Sequence, residues 1–93
     1  MKLDWNDDKS RTLKQERGIA FEDIVICIDE GQVLDIIDHP NHVKYPHQKI
    51  IVVSWTDYVY LVPCVKTADG FFLKTIIPSR KAKKEYLSER GSR

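Results

Sequence analysis

At 93 residues, with 42% hydrophobic and 31% charged positions, the chain suffices for one domain with a single core, is too short for two, and is too apolar to stay disordered. No apolar run approaches the ~20 residues a membrane-crossing helix needs, and no basic start followed by a short apolar stretch marks a secretion signal, so a cytoplasmic protein is expected. The net charge of +1 conceals a split: residues 1–39 hold five Lys or Arg against ten Asp or Glu, a balance of −5, and residues 40–93 hold ten against four, a balance of +6. Either the two parts neutralise each other or the C-terminal part meets an anion, nucleic acid first.

Residues 2–5 alternate apolar and polar side chains and suit an edge strand. Asn6 then offers an N-cap, Asp7 and Asp8 favour the first turn of a helix, and Gly18 closes it, which predicts about three turns on the surface with Trp5 and Ile19 anchoring the ends. Phe21, Ile24, Val25 and Ile28 recur at helical spacing before Gly31. The β-branched run over 24–28 also suits a strand, but Glu22 and Asp23 belong in a helix's first turn, and a second helix over 21–30 is preferred.

Residues 32–38 form a strand, and the loop 39–47 contains Pro40 and Pro46, which rule out a regular ladder. Two strong strands follow, 49–55 and 58–65, joined by Thr56-Asp57, and the turn at 67–70 leads into a strand over 71–77. Phe71, Leu73, Thr75 and Ile77 share one face of that strand and Phe72, Lys74 and Ile76 the other, so it reads as interior. Pro78 ends it, Ser79 caps a basic helix opening Arg80-Lys81-Ala82-Lys83-Lys84, and residues 91–93 read as a tail. One domain over 1–90 results, of α+β class: two helices and a C-terminal helix packed in a second layer on an antiparallel sheet that includes a three-stranded meander.

Several residue types invite a chemical reading. Cys27 and Cys64 sit in apolar contexts at no metal-type spacing and are expected as buried reduced thiols. His39, His42 and His47 share one loop, a weak pattern for zinc without a helix or cysteine partner. Trp55, Tyr58, Tyr60 and Phe72 on neighbouring strands are core candidates first and a base-stacking surface second.

Five stretches stand in the same order, over nearly the whole chain, as in the BrnT toxins of type II toxin–antitoxin pairs: Asp4-Trp5-Asn6-Asp7-Asp8-Lys9, Arg17-Gly18-Ile19, Phe21-Glu22-Asp23, Lys49-Ile50, and Ser79-Arg80-Lys81-Ala82 with Glu85-Tyr86. The sequence resembles that family, though it has Arg17-Gly18 where many members have His-Gly and a histidine-rich loop before its central strand. The resemblance implies a RelE-like ribonuclease fold, RNA cleavage with no cofactor or metal, neutralisation by a cognate antitoxin protein, and DNA reached only through that antitoxin. It also implies that Arg80 and Lys49 belong to a basic RNA surface.

Metal-free cleavage of RNA needs a base for the 2′-hydroxyl, a cation for the pentavalent phosphate and an acid for the leaving oxygen. Arg80 suits the cation, since its planar fork meets two phosphate oxygens and keeps its charge. His47 is preferred over His39 as acid or base because it lies nearest the strand bearing Lys49. Lys81, Lys83, Lys84 and Lys74 are candidate RNA contacts, as is Tyr86, for which core packing is the competing role. Two functions remain open at this point: a ribonuclease toxin, and a non-catalytic module that binds nucleic acid or antitoxin.

Overall fold

The computed structural model describes residues 2–88. Asn6 marks the first corner. It separates β1 (Lys2–Asp4) from helix α1 (Asp7–Arg17), and its side chain accepts from the Lys9 N–H at 3.0 Å. Gly18 ends the helix at φ 73°, a conformation that costs glycine nothing. Helix α2 (Phe21–Asp29) confirms the helical reading of this stretch: Phe21, Ile24 and Cys27 form its buried stripe, while Ile26 is 52% exposed. Ser10 stitches the two helices together, since its buried hydroxyl accepts from the Phe21 N–H at 2.9 Å and donates to Glu22 at 2.6 Å.

Five further strands follow: β2 (Val33–Asp38), β3 (Gln48–Trp55), β4 (Tyr58–Lys66), β5 (Gly70–Leu73) and β6 (Ile77–Pro78). Helix α3 (Arg80–Lys83) then continues as a π-helical turn, Lys84–Ser88. The expected continuation to residue 90 and the tail 91–93 lie outside the described residues. In the sheet the order is β1-β5-β4-β3-β2, with β6 also beside β4, and β3, β4 and β5 form the expected antiparallel meander.

Three features correct the expected architecture. First, β1 runs parallel to β5, with Lys2 opposite Gly70, so the sheet is mixed rather than antiparallel throughout. Second, the strand expected over 71–77 is broken. Cys64 pairs with Leu73 but Leu61 pairs with Ile77, so the β5–β6 side holds one residue more than β4 between the two pairs, as in a β-bulge. The extra residue shifts the alternation by one: Ile76 joins Leu73 in the core at 0% exposure, and Ile77 is 40% exposed.

Third, the helices do not share one face. Leu13, Ile19, Phe21, Ile24 and Cys27 pack with Ile51, Val53, Val62, Cys64 and Leu73 in the main core. Val52, Val59 and Leu61 alternate with those strand residues and therefore point the other way, where Ala82, Tyr86 and Leu87 meet them. The central strands β3 and β4 are apolar on both faces, so a single helical layer would leave one face wet. The C-terminal segment supplies the missing cover, giving three layers rather than two.

Both cysteines are buried free thiols. Burial pushes the Cys64 thiol up to about 11 and raises that of Cys27, which keeps both protonated near neutral pH.

Candidate nucleic-acid interface

Helix α3 starts where β6 leaves the sheet. The Ser79 N–H donates to the Val59 carbonyl at 3.0 Å and its side chain accepts from the Ala82 N–H at 3.1 Å, which fixes the entry and the cap together. Ala82 is buried, and Arg80, Lys81 and Lys84 are exposed around it. Lys83 turns toward the β3–β4 hairpin, where its ammonium stands 5.1 Å from the centre of the Tyr58 ring.

That hairpin end carries a row of half-buried rings. Trp55 lies 6.1 Å from Tyr60 and Tyr60 lies 5.6 Å from Tyr58, centre to centre. At the far end of the row, Lys14 of α1 stands 5.9 Å from the centre of the Trp55 ring, and its ammonium also bonds Asp23 at 3.1 Å. Arg17, three residues further along α1, donates to the Ile76 carbonyl in the bulge. Burial, and secondarily Tyr58, raises the Tyr60 phenol above its ordinary range, so its hydroxyl stays a donor across the physiological range. The turn that bends this row is itself unusual, because Thr56 and Asp57 have φ of 48° and 61°. A two-residue hairpin turn of the favoured hand needs positive φ at both positions, and Thr, being β-branched, resists it.

The other candidates lie elsewhere. Lys49 stands opposite Cys64, on the face that α1 and α2 cover, and its ammonium is bonded to Asp38. That bond and the lysine's charge hold the Asp38 carboxyl below the ordinary carboxylate range. Arg80 follows Ser79, which is tied to Val59, and Val59 faces Ser54, five residues from Lys49 along β3. Lys49 and Arg80 are thus about 17 Å apart along the strand and on opposite faces. His47 lines a separate cleft of ≈ 440 Å³ with Lys66, Thr67 and Ala68, at the end of the sheet away from α3.

His39 accepts from the Asn41 N–H through Nδ1 and packs 4.8 Å from the Tyr45 ring. Among the described residues no three His, Cys, Asp or Glu side chains stand close enough to hold a metal ion. Lys74 lies over the Phe72 ring at 5.7 Å, with its N–H bonded to the Pro63 carbonyl, four residues along β4 from Val59. Lys81 and Tyr86 line a groove of ≈ 200 Å³ with Ile37 and Val52. Tyr86 is partly buried against the second core, and its hydroxyl donates to Asp35 at 3.0 Å, so packing accounts for it.

Of the three residues chosen for catalysis, His47 and Lys49 stand two residues apart at the start of β3, and Arg80 starts α3 near the other end of that strand. The structure brings Lys83 together with the aromatic row, and adds Lys14, which sequence reasoning passed over because it belongs to the acidic part of the chain. Its signal in the sequence is slight: Lys14 and Arg17, three apart, share one side of the last turn of α1. The sequence matches no protein-family description, and neither curated proteins nor solved structures yield a match. No helix among the described residues is long and apolar enough to cross a membrane.

Proposed function

We propose that the chain is an RNA-binding protein of the toxin type, restrained by a cognate antitoxin, which grips RNA through the basic start of α3. The supporting observation is the placing of α3. Four cations in five positions, Arg80, Lys81, Lys83 and Lys84, start a helix fixed by Ser79 and Ala82, and one of them touches a ring at the sheet's hairpin end. Cations held at fixed points on a buried scaffold meet phosphates with little loss of side-chain freedom. Cleavage, by contrast, needs base, cation and acid around one phosphate, and Arg80 starts α3 at the other end of β3 from Lys49 and His47. Binding is therefore the better-supported of the two functions.

The test is the salt dependence of binding to a labelled single-stranded RNA. Each phosphate contact on a single strand contributes about 0.7 to the slope of log affinity against log salt. Replacing both Arg80 and Lys83 by Ala is expected to flatten the slope by about 1.4. An unchanged slope would remove α3 from the interface. Cleavage of the RNA in EDTA by the wild type but not by Arg80→Ala would restore the nuclease reading. The antitoxin, implied by the family resemblance, is tested by co-purification with a small protein encoded beside this one. DNA is expected in that assembly only through the antitoxin.

A further inference from the structure

The row Trp55–Tyr60–Tyr58 lies at the margin of the main core, against which Trp55 and Tyr60 pack while staying partly open to solvent. All three rings are half-buried, not enclosed, and each end of the row is bracketed by a lysine from a different helix, Lys14 from α1 and Lys83 from α3. The planes of Trp55 and Tyr60 cross at 65° and those of Tyr60 and Tyr58 at 58°, so the rings face different directions and the row suits bases that have been splayed apart rather than a continuous stack. Beside Trp55 opens a cleft of ≈ 310 Å³ whose lining includes Gln32 and Ser54, donors and acceptors for a base edge. Glu30 and Asp57 line the same cleft and repel phosphate, so a strand entering here must keep its backbone on the lysine side. Because Lys14 is shared with Asp23, Lys83 is the stronger phosphate contact of the two.

We infer that this row is a binding site for two or three unpaired nucleotides of a single-stranded nucleic acid, with bases stacked on Trp55, Tyr60 and Tyr58 and phosphates between Lys14 and Lys83. The ligand class rests on the RNA-binding reading above, while the site itself rests on the rings. Every base presents a π-face, so recognition here is tolerant of sequence and depends on the bases being present at all.

The experiment compares four probes on the intact wild-type chain: a short oligo(U), an oligo(dT) of the same length, and an abasic version of each. Both base-bearing strands are expected to bind roughly tenfold or more tightly than their abasic partners. Whichever sugar binds better then identifies RNA or DNA as the source. Trp55→Leu and Tyr58→Leu are each expected to weaken binding of the base-bearing strand roughly tenfold, leaving its salt slope and the affinity for the abasic strand unchanged. Equal binding of base-bearing and abasic strands by the wild type overturns the proposal while leaving RNA binding by α3 intact. Failure of all four probes to bind at low salt overturns both. Because the abasic comparison uses the unaltered protein, it holds even if a substitution in the hairpin unfolds the chain.

Discussion

Tyr86, a candidate RNA contact with core packing as the competing role, packs against the second core and makes a contact that no local sequence pattern announces. Its ring lies against the second core as a tyrosine six positions into a helix should, but the bond from its hydroxyl to Asp35 spans 51 residues and leaves no trace in local sequence. That bond, with burial and the charge of Asp35 adding to it, raises the Tyr86 phenol above its ordinary range. A phenol whose pKa is higher folded than unfolded contributes stability that is fully present below the unfolded value near 10 and is lost as pH rises through the folded one. In a spectrophotometric titration of tyrosinate, Asp35→Asn is expected to lower the Tyr86 midpoint toward the ordinary range. An unmoved midpoint would separate Tyr86 from Asp35. Lys49 makes the complementary point: the resemblance gave it a place on an RNA surface, and only the register of β2 against β3 reveals that Asp38 already claims it.

Among the elements, α1 was the most legible, because Asn6, Asp7, Asp8 and Gly18 each occupy the one position where their chemistry is useful. The strand after Gly70 was the least legible. Strict alternation from Phe71 puts Leu73 and Ile77 on the same face, and nothing in the residue types announces the extra residue that brings Ile76 inward instead. The hairpin between β3 and β4 was located correctly, but its cost was not visible until Thr56 and Asp57 were found at positive φ. Thr56→Asn with Asp57→Gly relieves both positions, since these residues are favoured in that turn. The pair is expected to stabilise the protein by about 1 kcal/mol, measured by urea unfolding. A neutral or destabilising result would mean that Thr56 or Asp57 makes compensating contacts.

At the scale of the molecule the sheet separates two unequal cores. Among the described residues the main one contains eleven buried side chains, drawn from α1, α2, the strands and, through Ile19 and Ile76, the links beside them, and the one under α3 contains three. Local stability follows buried apolar contact, so the α3 segment is expected to open at a lower free energy than β3 and β4. Native-state hydrogen exchange tests this directly: amides of residues 82–87 should exchange before those of Ile51–Val53 and Val62–Cys64. Exchange of both sets at one common free energy would show instead that the layers unfold as a unit. In the main core, Ile24→Ala is expected to cost about 2–5 kcal/mol. The α+β class and the meander were readable from the order of elements, but the layer that α3 occupies was not. Apolar residues on both faces of β3 and β4 state that both faces are covered, without stating by what.

The parallel pairing of β1 with β5 constrains the order of events at the ribosome. Lys2 lies opposite Gly70, and any side chain at residue 70 would collide with the Lys2 carbonyl, whose oxygen lies 1.7 Å from where a Cβ would stand. Strand β1 therefore has no ladder to join until the tract around residue 70 has emerged, and closing so long an interval of chain is slow. During that wait Leu3 and Trp5, which later pack on the main core, are in water. Nascent chains halted short of residue 70 lack the partner that seats β1.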